Sequence, residues 1–235
     1  MVRTLLALLV PPLCAGCRGP LRGGAEIVCG ACRRALPWLL GPCCPRCALP
    51  LGRRHACPAV RQAFAAAYAP MAYTGVARDL VAALKFAHGR PLAGVMAAHL
   101  AAGMPAGLLD GAAIVAVPAH PARARARGYD QAALLAAALA GRTGAPLARS
   151  LRRRGPPVRQ LGASRAERLE RDRISVTTAG AVPDRVVLVD DVHTTGATLD
   201  ACARALREAG AAAVAAVTWA RTLGPDPIGH VAVLR

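Results

Sequence analysis

Eight of the chain's nine cysteines fall between Cys14 and Cys57, and Cys202 alone lies in the rest of the 235 residues. So many thiols at close spacing end either as disulfides in a secreted domain or as metal ligands in a reducing compartment. Cys14-x-x-Cys17, eleven further residues and Cys29-x-x-Cys32 have the spacing of a four-cysteine zinc ribbon, in which each pair sits on a tight turn and offers two thiolates to one tetrahedral ion. Gly16 and Gly30 lie inside these knuckles, where positive φ is expected. Cys44-x-x-Cys47 makes a third pair, but its expected partner pair is reduced to Cys57, with Cys43 and His55 as candidate fourth ligands. Spacing leaves open whether this second set binds zinc and whether the pairs exchange partners in a cross-brace. A segment of about 60 residues broken by many Gly and Pro needs a staple, so the metal is assigned to folding and not to catalysis.

The apolar run Leu5 to Val10 imitates a signal peptide, but it is short, Pro11-Pro12 ends it, and cleavage near Cys14 would destroy the first ligand pair. A short amphipathic helix packed on the ribbon is the expectation. No window reaches the roughly 18 apolar residues of a membrane span, so a cytoplasmic protein is expected. Thirty Lys and Arg against thirteen acids leave +17, and Lys85 is the sole lysine, which biases the surface toward guanidinium groups suited to phosphate. Residues 1–62 carry nine Arg and one acid, Glu26, so the ribbon is also a candidate nucleic-acid contact. Aromatic residues, at 3%, argue against a base-stacking platform.

The cysteine distribution sets an expected boundary, with a zinc-ribbon domain over 1–62 and a second domain over 63–235. From Ala63 onward, helix-length Ala/Leu segments alternate with short β-branched runs, the rhythm of an α/β fold with a parallel sheet and helices on its faces. Helices are expected over Gly75 to Lys85, Pro91 to Ala102, Asp130 to Ala140 with Asp130 as N-cap, and Thr198 to Ala209. Strands are expected over Ala113 to Val117, Val186 to Val189 and Ala213 to Trp219.

The segment Val186-Val187-Leu188-Val189-Asp190-Asp191-Val192-His193-Thr194-Thr195-Gly196-Ala197-Thr198 joins a buried strand, two carboxylates at its carboxyl end, and a hydroxyl-rich loop that turns into a helix. Open α/β sheets bind ligands at that end. Loop amides at a helix N-terminus can cradle a phosphate, the threonine hydroxyls add donors, and Gly196 permits close approach. Asp190 and Asp191 can accept hydrogen bonds from ribose hydroxyls or order water around Mg²⁺ on a pyrophosphate. There is no Gly-x-x-x-x-Gly-Lys-Ser/Thr loop and no Gly-x-Gly-x-x-Gly after a strand.

This stretch resembles the 5-phosphoribosyl-1-pyrophosphate (PRPP) motif of type I phosphoribosyltransferases. A second set, Val115-Ala116-Val117-Pro118-Ala119-His120-Pro121, then Arg123 and Arg127-Gly128-Tyr129-Asp130-Gln131, is similar to the signature of the ComF family, associated with competence for DNA uptake. Leu84-Lys85-Phe86, Gln160 before an Arg-rich helix, and the N-terminal double zinc ribbon resemble other stations of that family. Asp130 replaces the family's usual Asn, Tyr129 its Phe and His193 an aliphatic residue, and one ribbon cysteine is missing.

The resemblance implies a phosphoribosyltransferase-like sheet, a turn at Pro118, Ala119 and His120 that holds pyrophosphate with Arg127 and Gly128, and PRPP held by Val192 to Thr198 beside the catalytic pair Asp190 and Asp191. Lys85 and Arg123 are candidate phosphate contacts, Lys85 alternatively a surface end-cap, while Arg125 is read as solvated. Leu151 to Arg173, with eight Arg and three acids, lies where relatives carry a mobile loop; Arg152 to Pro157 is its hinge and anion clamp or a solvated basic run, with Arg165 and Arg168 facing the site. The implied cofactors are structural Zn and Mg with PRPP. The implied function is PRPP binding, with phosphoribosyl transfer to an unnamed acceptor, in DNA uptake or nucleotide metabolism. The alternative is a non-catalytic sensor of PRPP or a nucleotide that contacts single-stranded DNA or DNA-uptake proteins. A zinc-dependent hydrolase ranks last, because it needs an open metal site.

Overall fold

The structure, a computed structural model, describes residues 12–21, 26–52, 55–86, 89–153, 175–224 and 231–233. The expected helix at Leu5 to Val10, and the readings of Arg154 to Pro157, Gln160, Arg165 and Arg168, lie outside the described residues.

Among the described residues ten strands appear in chain order: β1 (Pro37–Leu39), β2 (Ala66–Tyr68), β3 (Met71–Ala72), β4 (Ala113–Ala116), β5 (Leu147–Ala148), β6 (Leu151–Arg153), β7 (Val176–Thr178), β8 (Arg185–His193), β9 (Ala213–Arg221) and β10 (Val231–Val233). Between them lie α1 (Gly30–Arg34), α2 (Gly75–Phe86), α3 (Gly89–Gly103), α4 (Pro121–Arg127), α5 (Gln131–Thr143) and α6 (Ala197–Glu208). The main sheet runs β10-β1-β3-β9-β8-β4-β5, and β2 also pairs with β9. Every pairing from β2 and β3 through to β5 is parallel, while β1 is antiparallel to both its neighbours. Pro70 has no amide hydrogen for the ladder and separates β2 from β3 along the same edge of β9.

Central strands are buried on both faces, which is why β4 and β8 read as near-continuous apolar runs. Val187 and Val189 pack with Leu80, Leu84, Met96 and Leu135 from α2, α3 and α5, whereas Val186 and Leu188 pack with Leu199, Cys202 and Leu206 from α6. The sheet therefore carries helices on both sides, as the resemblance implied. β1, from inside the first 62 residues, extends this sheet, and Cys14, Cys32 and Leu36 belong to the same core as α2 and α3.

β8 continues four residues past its apolar run, through Asp190, Val192 and His193, which stay in register with Thr218, Ala220 and Arg221. The ladder depends on backbone groups, so polar side chains do not end it. β6 and β7 form a separate antiparallel pair that flanks the Arg-rich segment. Arg152 and Arg153, read as part of a hinge, are strand residues of that pair.

Candidate functional site

The two knuckles are built alike. Cys14 N donates to Gly19 O and Arg18 N to Cys14 O; thirty positions later Cys44 N donates to Leu49 O and Ala48 N to Cys44 O. The left-handed residue of each turn is Arg18 (φ 60°) or Ala48 (φ 57°), immediately after the second cysteine, and not Gly16 or Gly30 as expected. Gly16 is needed for space instead, because a Cβ there would lie 2.9 Å from Cys32 Sγ.

Cys14, Cys17, Cys29 and Cys32 bring their sulfurs within 4.8 Å of one another, and Cys44, Cys47, His55 and Cys57 bring their ligand atoms equally close. Consecutive pairs share a site, so there is no cross-brace, and His55 is the fourth member of the second set where Cys43 had been an alternative. Gly16 N and Cys29 N donate to Cys14 Sγ at 3.4 and 3.2 Å, the amide-to-sulfur contacts that support thiolate ligands. Burial works to raise the Cys14 thiol, but the amides of Cys29, Cys17 and Gly16 outweigh it and bring its pKa down to about 6. Four thiols in one cluster, and three thiols with an imidazole in the other, complete a tetrahedral set with no position left open and fit structural zinc.

At the carboxyl ends of β4 and β8, Lys85 Nζ lies 2.7 Å from Asp191 Oδ2, close but not aligned as a hydrogen bond. Asp190 Oδ1 accepts from Asp191 N at 2.8 Å. Burial, then the charge of Asp191, pushes the Asp190 carboxyl well above the usual carboxylate range. Lys85 thus pairs with an acid while 24% of its side chain stays exposed. It is held there by Tyr129, whose hydroxyl donates to Leu84 O at 2.6 Å.

The segment after Val117 is a short helix, where a turn with arginines close behind it was expected. His120 Nδ1 accepts from Ala122 N and caps α4, Pro121 fills its first turn, and Gly128 ends it at φ 78°. One helical turn apart, Arg123 and Arg127 line a cavity of about 330 Å³ with Lys85, Phe86 and Ala126. Arg125 is exposed and outside that lining. Arg127 stacks over Phe86, 5.1 Å from the ring centre, and donates to Gln131 Oε1 at 2.8 Å. Asp130 caps α5 through Ala132 N and Ala133 N, and its other oxygen accepts from Ala119 N at 2.8 Å. The Ala119 amide, assigned to a pyrophosphate turn, is therefore engaged by Asp130.

The loop from Thr194 to Thr198 is held from beneath by two side chains that sequence reasoning missed. Arg221, 3% exposed at the end of β9, donates to the carbonyls of His193 (2.8 Å), Thr194 and Thr222 (3.0 Å) and to Cys47 O (2.8 Å). Gln62 Nε2 donates to Thr195 O at 2.9 Å. In a trans peptide the amide points away from the carbonyl before it, so these anchors turn the amides of Thr194, Thr195 and Gly196 away from Arg221 and Gln62. Gly196 takes φ 82° as N-cap of α6, with no side-chain cap bond. The hydroxyls of Thr194 and Thr195 are exposed, Thr198 is half-buried, and Thr195 Oγ1 accepts from Ala197 N. His193 is buried against Phe64, and burial, then the Arg221 charge, lowers its pKa to about 4. The only available sequence signal for Arg221 was an arginine closing a buried strand.

Residues 5–61 match the double zinc ribbon domain family. No curated protein matches the chain. Two similar solved structures are the allosteric regulatory enzyme of purine biosynthesis and the glutamine PRPP amidotransferase from B. subtilis complexed with ADP and GMP. Each is 26% identical over 53% of this chain with a TM-score of 0.36, and the coverage of those chains is 24% and 25%. This chain thus spans about a quarter of their length. By its own topology the protein is an α/β protein with a largely parallel sheet and helices on both faces. At its N-terminal end it carries a double zinc ribbon whose two ligand sets are structural in character. Among the described residues, no helix is long and apolar enough to cross a membrane.

Proposed function

We propose that the chain is a ComF-like phosphoribosyltransferase-domain protein, a zinc ribbon over 1–62 followed by a PRPP-binding domain over 63–235. The observation that carries this reading is the loop at Thr194 to Thr198. Its carbonyls are pinned inward, its amides are turned outward, and it opens a twelve-residue helix whose N-cap glycine brings no side chain of its own, beside two acids. That arrangement suits a sugar monophosphate. Asp190, favouring its protonated form, can donate to a ribose hydroxyl while Asp191 accepts from its neighbour. Arg123, Arg127 and Lys85 supply positive charge where a pyrophosphate would leave. Mg²⁺ bound with PRPP would neutralise further charge on that leaving group.

In the transfer, the bond from C1 of the ribose to the pyrophosphate oxygen breaks and the acceptor's nucleophilic atom bonds to C1. The acceptor's proton passes to solvent and the bonding pair leaves with pyrophosphate. The loop holds the sugar for attack and the acids orient its hydroxyls. A role in DNA uptake or nucleotide metabolism follows from the family resemblance, and the net charge of +17 suits an anionic partner such as single-stranded DNA.

Calorimetric titration with PRPP and Mg²⁺, followed by a pyrophosphate-release assay over a panel of bases, tests the proposal. Binding that is lost in Asp190→Asn with Asp191→Asn, together with turnover on one base, is the expected result. Binding without turnover replaces the transferase with a sensor, and no PRPP binding overturns both.

A further inference from the structure

The second ribbon cluster and the phosphate loop share a buried cation. Arg221 Nε donates to the carbonyl of Cys47, while its Nη1 donates to the carbonyls of His193 and Thr194. A parallel connection starts one residue earlier in the same knuckle: Arg46 Nη2 donates to Gln62 O at 2.9 Å, and the Gln62 side chain holds Thr195 O. A third contact, Ala67 N to Pro45 O at 2.8 Å, fastens β2 to that knuckle. Three successive carbonyls of the loop, those of His193, Thr194 and Thr195, thus connect through Arg221 and Gln62 to residues 47 and 46, which lie within the span of the Cys44, Cys47, His55 and Cys57 set.

Charge favours the same connection. A guanidinium that is 3% exposed needs compensation, and its described partners are backbone carbonyls and the Thr222 hydroxyl. Three thiolates and one neutral imidazole around a divalent ion carry one net negative charge, which matches Arg221. Among the described residues the four-cysteine set makes no such contact: Cys14, Cys29 and Cys32 pack with α2 and α3 on the other side of the sheet.

We propose that Arg221 is a positioning residue that couples metal occupancy of the Cys44, Cys47, His55 and Cys57 set to the conformation of the loop at His193 to Gly196. The second metal then does more than hold the ribbon together, since it presets the amides that receive the phosphate. The consequence for ligand affinity rests on the PRPP reading above; the coupling itself does not.

The full chain, Cys57→Ser, Cys17→Ser, Arg221→Met and Arg221→Lys are compared by zinc content, by hydrogen exchange at the Ala197 and Thr222 amides, which are hydrogen-bonded to Thr195 and His193 of the loop, and by calorimetric PRPP–Mg²⁺ affinity. Cys57→Ser and Cys17→Ser should each lose one of two metal ions. Only Cys57→Ser should speed loop exchange, by about tenfold, the effect of losing roughly one hydrogen bond to a charged group. Arg221→Met should keep both metals and show the same faster exchange, with Arg221→Lys intermediate. Equal exchange changes in the two cysteine variants, or wild-type exchange in Arg221→Met, would overturn the coupling, and the arginine variants decide the matter if Cys57→Ser fails to fold. Absence of PRPP binding to the wild type, with exchange responding as described, would remove the ligand reading and leave the coupling standing.

Discussion

Lys85 and Asp191 form an ion pair at 2.7 Å that joins the end of α2 to the end of β8, and Asp191 is only 5% exposed. The sole lysine of the chain thus holds an acid of the candidate site in place before any ligand arrives. Lys85→Met leaves a buried carboxylate without its cation. It should lower stability by roughly 1–3 kcal/mol in urea unfolding at pH 7. Asp191→Asn added to Lys85→Met should recover part of that loss, and additive losses would show that the pair is not coupled.

Asp190 should make the native state less stable as pH rises. A carboxyl whose folded pKa lies above its unfolded value keeps its proton in the native state after the unfolded chain has released it. Stability therefore declines from about pH 4 up to the folded pKa. Asp190→Asn removes that decline. The variant should match the wild type near pH 4 and melt at a higher temperature at pH 8; a difference independent of pH would contradict the raised value.

His193 acts in the opposite direction. Its folded pKa of about 4 lies below the unfolded 6.5, so the unfolded chain takes up a proton first and stability falls as pH drops between those values. His193→Leu, which restores the aliphatic residue of the resembled motif, should gain on the wild type by up to about 3 kcal/mol between pH 7 and pH 4. Chemical denaturation at both pH values measures this, and an unchanged gap would mean that the imidazole charges readily in the fold.

Gly196→Ala should distort the loop for two separable reasons. Its φ of 82° is strained for alanine, and the added Cβ would lie 2.6 Å from Gln62 Oε1, 2.8 Å from Gln62 Nε2 and 2.9 Å from His193 Nε2. A cost of roughly 1–3 kcal/mol and weakened PRPP binding are expected. Adding Gln62→Ala relieves part of the crowding and none of the backbone strain, so a thermal-melt cycle should show partial recovery.

Much of this architecture was legible where side-chain chemistry and backbone geometry agree. Asp130 marks the start of α5 because a carboxylate caps free amides, and Val186 to Val189 marks β8 because a strand covered on both faces must be apolar throughout. Helix α4 escaped because it buries no residue and so leaves no apolar stripe. The end of β8 escaped because hydropathy stops at Asp190 while the hydrogen-bond ladder does not. Choosing His55 over Cys43 required knowing how the chain returns to Cys47, whose sulfur lies 3.6 Å from His55 Nε2. The loop acids and threonines were visible as a motif. Arg221 and Gln62 were not, since 174 and 133 residues separate them from partners they reach only after folding.

The antiparallel pairing of Pro37–Leu39 with Val231–Val233 sets an order of events during synthesis. All the ribbon's metal ligands have been translated by Cys57, so the ribbon can load its ions while its own strand still lacks both neighbours. A nascent chain stalled before β9 would display an open edge of backbone donors and acceptors, the kind of surface that recruits other strands. The late strands thus close the early part of the molecule, and loss of the last one would be felt first as self-association.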